Sequence, residues 1–576
     1  MSAVLGLNFH HDTSAALIVN GRLYAAEEER WSGIKHHRQP HNRKATLTAP
    51  THALAWCLDA AGIGPDDIDA VWTPSMRSTP AAGWWLAEER DELAALLPSS
   101  LGERLRLISH HTAHVMSGYL LSGHDHAAGL VIDAGGSSLG TDFGPGRERI
   151  TGYDLRPERI DRIHQAMPIV VPDATGPRRV HSSLGHFYRN LALRLIPPGD
   201  EPEGSMMALA ALGDPDRYRD ALRALIRLGA DGGVRIAHPW GSADTETPLI
   251  IGQRSWTADS AAAASLTDRA DLAAAVQEAF AQAVTHVARH LQQLTDANTL
   301  VFSGGCALNS HLNGQLAAEA GFDNLFVAPA PHDAGTALGA ALYAWHYQLG
   351  QPRLPVPTDA AWGPEPDPSP AFTPPAGYRA LPGLGDQLVP VVAALLADHR
   401  IVGWAQGPLE FGPRALGHRS ILAHPGRTDT RDRLNAIKQR ASYRPFAPAI
   451  LTEHVSDWFL TPGDPFMNRV AQVRHCRADH IAAVVHRDGT ARLQTVSNNH
   501  SGLRPLLEEF HRHTGLPLLL NTSLNRKGTP ILRTAEQAVQ ATAELGLDAL
   551  AVNDTLLLAD RVPLPDDARR IAIAER

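Results

Sequence analysis

Cysteine is nearly missing. Three residues in 576, Cys57, Cys306 and Cys476, are too far apart and odd in number for a disulfide framework or a cysteine-rich zinc site, and they suit a reducing compartment. An excess of positive charge is missing too: 52 Lys and Arg against 61 Asp and Glu leave a net charge of -9. That balance argues against general binding to nucleic acid or to an anionic membrane, since both reward a basic surface. No segment approaches the roughly 20 uninterrupted apolar residues that span a bilayer. The opening MSAVLGLNFHHDTSAALIVNG has no basic stretch followed by an apolar one. A cytoplasmic protein with neither a nucleic-acid nor a membrane partner is expected. What is present, 44% hydrophobic and 20% charged residues, suffices for one large core or for two to four domains.

The composition changes sharply once. QPRLPVPTDAAWGPEPDPSPAFTPPAG, from 351 to 377, is too rich in proline for a helix or a central strand and is expected to link a domain of residues 1–350 to one of residues 378–576. Upstream, VLGLNFHHDTSAALIVNGRLYAAEEER and AAGLVIDAGGSSLGTDFGPGRERITGYDL share a pattern of apolar run, turn with small hydroxyl residues, and further strand-like pieces, which predicts antiparallel hairpins. TLVFSGGCALNSHLNGQLAAEA predicts strand, glycine turn and helix; LFVAPAPHDAGTALGAALYAW predicts strand, loop and helix. The stretch DRADLAAAVQEAFAQAVTHVARHLQQL is a long amphipathic helix by composition and spacing. A duplicated α/β unit follows from these pieces.

That arrangement resembles the actin-like (ASKHA) superfamily of sugar kinases and heat-shock ATPases. The resemblance implies that the SGGCALN turn opens its helix toward a nucleotide, with Gly304 and Gly305 approaching it and Asn309 in contact. In SHHTAHVMSG, a helix puts His110 and His114 four apart on one face, a spacing that lets two imidazoles reach one metal ion, while His111 points elsewhere. Asp133 and Asp333 stand at turns that follow apolar strands and can aim carboxylates into a cleft. Two imidazoles and two carboxylates make a mixed N/O set suited to iron, manganese or zinc.

HHTAH, VIDAGG, SGGCALN and PHDAGTALGAAL, in that order, are similar to the metal- and nucleotide-binding half of the O-carbamoyltransferase family of antibiotic-tailoring and nodulation-factor enzymes. The resemblance implies that His110, His114, Asp133 and Asp333 hold a divalent metal, expected to be Fe2+. The family signature FHD-small-small-A, matched by FHHDTSAAL, implies a place for His11 beside the transferred carbamoyl group.

In the second half, EFGPRALGHRSILAHPGRTDTRDRLNAIKQRASYRPFAPAIL concentrates Arg414, Arg419, Lys438, Arg440 and Arg444 in an otherwise acidic chain. Arg forks grip phosphate oxygens bidentately and Lys acts as a mobile point charge, so the cluster fits a polyphosphate. It is similar to the family motifs EFGPRALG-x-RSI and K-x-R-x-x-x-RPFAP. ARLQTV and LLLNTSLNRKGTPI add Arg492, Asn521, Thr522, Ser523 and Asn525. These motifs resemble a YrdC-like α/β domain with a twisted sheet, fused to the actin-like half.

The resemblance implies ATP and carbamoyl phosphate as substrates, with Mg2+ as a possible companion of ATP. They would combine into carbamoyl adenylate at Lys438, Arg414, Arg444 and Arg492, with Ser523 and Asn521 as hydrogen-bonding groups. The carbamoyl group would then pass to a hydroxyl of a small-molecule acceptor, and a homodimer is the default assembly. In many relatives a lysine stands where EGSMMALAALGD has Ser205, and Lys35 in EEERWSGIKHHRQP faces either the nucleotide or solvent. Two other readings compete: a threonylcarbamoyl-type tRNA-modifying enzyme, disfavoured by acidity, and a nucleotide-regulated binding protein, which leaves the second-half cluster unexplained.

Overall fold

The first strand of the computed structural model, β1 (Ala3–Asn8), is buried along its whole length, as its unbroken apolar run requires. The structure describes residues 1–37, 47–76, 84–139, 146–165, 169–173, 176–180, 183–236, 248–252, 254–367, 373–500 and 502–564. The chain forms two compact units, Met1–Glu28 with His37–Val356, and Glu29–His36 with Pro357–Arg576.

The first unit is mixed α/β and built twice on one topology. β1, β2 (Ser14–Val19), β3 (Arg22–Glu27), β4 (Ala70–Ser75) and β5 (Leu105–Ser109) form a sheet in the order β3-β2-β1-β4-β5. β1, β2 and β3 are antiparallel neighbours, while β1, β4 and β5 run parallel. β6 (Ala127–Ile132), β7 (Ile150–Arg156), β8 (Arg159–Gln165), β9 (Thr299–Ser303) and β10 (Asn324–Phe326) repeat the plan in the order β8-β7-β6-β9-β10. Again the first three are antiparallel and the last two parallel to the first. The duplication expected from the sequence is therefore present.

Helix α1 (His110–Tyr119) follows β5, the long α2 (Leu266–Thr295) precedes β9, α3 (Ser310–Glu319) follows the Gly-Gly turn, and α4 (Ala334–Tyr343) follows β10. Small residues let α4 approach its neighbours backbone to backbone. A Cβ on Gly6 of β1 would lie 1.9 Å from the Ala337 carbonyl oxygen, and one on Gly339 would lie 1.8 Å from that of Ala113 in α1. Glycine is required at both contacts for steric reasons alone.

In the second unit, β11 (Tyr378–Leu381), β12 (Val402–Ala405), β13 (Arg419–Ala423), β14 (Ala447–Leu451), β15 (Gln494–Val496), β16 (Leu518–Ser523), β17 (Ala549–Val552) and β18 (Thr555–Ala559) form one sheet. Its order is β11-β18-β17-β12-β13-β16-β14-β15. One core layer packs α5 (Leu388–Ala397) and α7 (Arg504–Thr514) on the sheet through Val392, Leu395, Leu507 and Phe510. The other contains Leu434 of α6 (Thr428–Ile437), Phe446, Trp458 and Ala538 of α8 (Ala535–Leu545). The start of the proline-rich stretch belongs to this unit. Gly363 N–H donates to Leu409 O at 2.9 Å and Phe411 N–H to Ala360 O at 2.8 Å, and Ala360 is fully buried. Residues 368–372 of that stretch lie outside the described residues.

The three cysteines are free thiols. Among the described residues no helix is long and apolar enough to cross a membrane.

Candidate functional site

Ser109 caps α1 by accepting the Thr112 N–H at 3.4 Å, so the helix begins at His110 and carries His110 and His114 on one fully buried face. Their Nε2 atoms stand 3.0 Å apart. Asp133, just past β6, places Oδ2 3.4 Å from His110 Nε2 and 3.9 Å from His114 Nε2. Asp333, at the start of α4, places Oδ1 3.7 Å and 3.4 Å from the same two nitrogens. Four ligand-type side chains thus offer atoms within 4.8 Å of one another. Tetrahedral ligands at about 2.1 Å from one ion stand roughly 3.4 Å apart, so the set fits a divalent metal without rearrangement. With the Nε2 atoms converging, the fully buried Nδ1 atoms of both histidines have no hydrogen-bond partner.

Electrostatics favour ionised carboxylates. Burial opposes the charge on Asp133, but the His110 hydrogen bond and the His114, His110 and His111 imidazoles outweigh it, holding the carboxyl well below its usual range. Asp333 is lowered as well: against burial and the Asp133 charge stand His11, His110 and a hydrogen bond from His114. His11, in the β1–β2 turn, joins the cluster from its exposed side, with Nδ1 2.8 Å from Asp12 Oδ2 and Nε2 3.2 Å from Asp333 Oδ2.

Residues that sequence reasoning missed hold this geometry. Buried Asn8 donates Nδ2 to the carbonyls of His11 (3.1 Å), Asp12 (3.1 Å) and Asp333 (3.2 Å), tying the His11 turn to the start of α4. Fully buried Glu148 accepts from Ser109 Oγ (2.6 Å), Arg162 Nη2 (2.8 Å), Ser137 N–H (3.1 Å) and His111 N–H (3.2 Å), anchoring the first turn of α1. His111 does point elsewhere, its Nδ1 2.7 Å from Thr151 Oγ1, and burial pushes its pKa down to about 3.

The Gly-Gly turn differs from its expected use. Gly304, at φ 92°, donates its N–H to Pro331 O at 2.9 Å, and Gly305 donates to Asp133 Oδ1 at 3.3 Å. Of the two donors expected to meet a nucleotide, the Gly305 N–H here meets a candidate metal ligand and the Gly304 N–H a main-chain carbonyl. Asn309 caps α3 through Leu312 N–H at 3.0 Å and exchanges hydrogen bonds with Gln277 at 2.9 and 3.3 Å, which occupies its amide inside the fold.

In the second unit, Lys438 follows α6 and donates Nζ to Ser523 O (2.7 Å), Asn525 Oδ1 (2.7 Å) and Asn525 O (3.1 Å), with Ser523 Oγ at 3.4 Å. Burial, then the charges of Arg440, Lys35 and Arg444, push its ammonium well below the usual lysine range. Burial and Arg444 lower Arg414 to about 10 against the pull of Asp464. Burial and the charges of Arg414, Arg440 and Arg444 lower Arg492 strongly. Lys35 joins the same field: burial brings it to about 8, with Glu29 opposing and Arg444, Arg30 and Arg414 assisting. Cations that depress one another this way are arranged for an added anion.

Two residues of the second-half motifs have other tasks. Arg419 is fully buried and spends Nη1 on the carbonyls of Gly407 (2.9 Å), His418 (3.0 Å) and Gln406 (3.4 Å) and Nη2 on Pro364 O (3.2 Å), so it does not belong to the polyphosphate cluster. Asn521, also fully buried, donates Nδ2 to Gln494 Oε1 (2.9 Å) and Ala415 O (3.1 Å), which fixes the chain next to Arg414.

Residues 96–342 match the Carbamoyltransferase N-terminus family and residues 393–558 the Carbamoyltransferase C-terminus family. Nodulation protein NolNO of Sinorhizobium fredii is 34% identical over 98% of this chain and 81% of its own length. The chain belongs to the O-carbamoyltransferase family. Another relative, the 3'-hydroxymethylcephem-O-carbamoyltransferase of Amycolatopsis lactamdurans, is 35% identical over 68% of this chain and 72% of its own length. Among solved structures, full-length HypF in its phosphate- and nucleotide-bound form is 14% identical with a TM-score of 0.32, covering 59% of this chain and 54% of its own. Within this carbamoyltransferase, the N-terminal match contains all four metal-type residues and the C-terminal match contains Arg414, Lys438, Arg444, Arg492, Asn521 and Ser523. His11 and Lys35 lie outside both.

Proposed function

We propose that the protein is an ATP-dependent O-carbamoyltransferase that carbamoylates a hydroxyl of a small natural product, with an actin-like first unit and a YrdC-like second unit. The clustered cations of the second unit carry the reading: Arg414, Arg492, Lys438 and Lys35 are each depressed by charges drawn from Arg414, Arg440, Arg444 and Lys35, and a largely buried carboxylate, Asp464, opposes the shift at Arg414 and Arg492. Bringing two polyanions together demands such counter-charge.

In the first step water takes the phosphoryl group of carbamoyl phosphate, leaving carbamate and phosphate. A carbamate oxygen then attacks the α-phosphorus of ATP and pyrophosphate leaves, giving carbamoyl adenylate. Arg414, Arg444 and Arg492 hold the phosphates, Lys438 meets the charge that grows on the departing pyrophosphate, and Ser523 Oγ hydrogen-bonds the nucleotide. In the second step the acceptor oxygen attacks the carbamoyl carbon and AMP leaves. His11 Nε2, 3.2 Å from Asp333 Oδ2 in this structure, exchanges that contact for the acceptor hydroxyl and takes its proton, oriented by the Asp12 contact at Nδ1. His110, His114, Asp133 and Asp333 would hold a divalent metal, expected to be Fe2+, which as a Lewis acid polarises a carbonyl. The acceptor class follows the relatives, whose names include cephem carbamoylation and nodulation.

Pyrophosphate release from ATP tests the proposal. Release that requires carbamoyl phosphate, with an acceptor gaining the mass of one carbamoyl group, is expected. Release that requires threonine and bicarbonate would transfer the protein to tRNA modification, and no release under either condition would overturn the reading.

A further inference from the structure

The second unit contains another set of metal-type side chains, which the carbamoyl chemistry does not use. His418 and His500 are both fully buried, with ring centroids 5.2 Å apart and planes 17° from parallel. Each ring is pinned by one N–H on a main-chain carbonyl: His418 Nδ1 on Gln406 O at 3.1 Å, and His500 Nε2 on Leu416 O at 2.8 Å. A carbonyl cannot donate, so these nitrogens carry the protons and the opposite nitrogens carry lone pairs. His418 Nε2 has no partner, and His500 Nδ1 accepts the Leu503 N–H at 3.3 Å. Asp359 supplies a carboxylate, and the ligand atoms of the three residues lie within 4.8 Å of one another.

An imidazole whose far N–H is held by a carbonyl has the tautomer and orientation that metal ligation needs. A fully buried nitrogen lone pair without a donor is otherwise costly. The surroundings favour a cation: Glu410, 1% exposed, accepts three main-chain N–H groups at Oε1, from Leu416, His418 and Arg419, while its buried Oε2 has no partner.

We propose that Asp359, His418 and His500 bind a structural Zn2+ ion, with water in the fourth position and with His500 Nδ1 exchanging its 3.3 Å contact with the Leu503 N–H for the ion. The ion joins the segment that enters the second unit, through Asp359, to the loops before β13 and α7. The test is equilibrium dialysis of the chelator-stripped full chain against Zn2+, with metal counted by elemental analysis. A His110→Ala/His114→Ala background removes the first-unit centre, so the outcome does not depend on whether that centre binds metal. One bound Zn2+ per chain is expected in this background, lost on adding His418→Asn and weakened at least ~10-fold on adding Asp359→Asn. Circular dichroism checks each variant's fold, and the partly exposed Asp359 provides the change that leaves the core untouched. No bound Zn2+ in the background variant, or binding that Asp359→Asn leaves unchanged, would overturn the proposal.

Discussion

Gly339→Ala tests whether close packing of α4 on α1 builds the first-unit centre. The added Cβ would lie 1.8 Å from the Ala113 carbonyl oxygen and 2.9 Å from Ser117 N, both main-chain atoms that cannot rotate away. The helices must part by more than an ångström to reach ordinary contact. Overpacking against flexible side chains costs about 1–3 kcal/mol, and rigid neighbours put this case near 3. At roughly 2 cal/mol/K of unfolding entropy per residue, that loss lowers the melting temperature of a unit this size by about 4 °C. Metal binding should suffer more than stability. Asp333 is carried by α4 and His110 and His114 by α1, and their separations of 3.4 and 3.7 Å already match shared coordination. A parting of that size takes Asp333 out of reach. Differential scanning calorimetry and metal content per chain measure the two effects. A variant with wild-type melting temperature and full metal content would refute the argument that backbone contact between these helices sets the site.

Lys438→Met should lower carbamoyl-phosphate-dependent pyrophosphate release by about 10²- to 10³-fold, because the side chain keeps its length and loses its charge, and should lower the melting temperature as well, since Ser523 O, Asn525 O and Asn525 Oδ1 lose their donor. His11→Ala should leave that release intact and slow acceptor carbamoylation by about 10²-fold, measured by the accumulation of carbamoyl adenylate or its breakdown products. Lys35, brought by burial to about 8, loses its positive charge as pH rises through that value, so KM for ATP should climb there, and Lys35→Arg should move the rise to higher pH. Arg419→Met should cost about 3 kcal/mol of stability, seen in urea melts, by stripping the buried carbonyls of Gly407, His418 and Pro364 of their donor, whereas Arg414→Met should affect ATP binding first.

Periodicity made the strands and helices legible, and spacing made the histidine pair legible, because an i, i+4 pair shares a face wherever its helix lies. Charge type alone could not say where an arginine points. Arg419 stands between the same glycines and prolines as Arg414, yet it occupies the first position of β13 and turns into the sheet's own loops. The Gly-Gly turn was ambiguous for a related reason. Free N–H groups at a turn suit an anion of any origin, and here the anion that Gly305 meets is the Asp133 carboxylate of the same fold. Glu148 and Asn8 had no local signal. Each gathers partners from distant segments, a property that neither spacing nor composition records.

Duplication explains why the metal-type residues and His11 come from four separate places. β1 and β6 are equivalent central strands of the two sheets, and the turn after each delivers a polar group, His11 from one and Asp133 from the other. β5 and β10 are equivalent edge strands, each followed by a helix that returns toward the opposite sheet's turn: α1 brings His110 and His114, and α4 brings Asp333. The parallel pairs in each sheet direct these chain ends to the same edge, where turns and helix starts gather outside the carboxyl ends of the strands. Two copies of one fold thus meet with unlike side chains, imidazoles from the first helix and a carboxylate from the second, and divergence between the copies made a mixed N/O ligand set from a symmetric frame. A chain carrying histidine in both helices, made by Asp333→His, should keep the frame and change the metal it prefers, because the loss of a hard carboxylate shifts the set toward softer borderline ions.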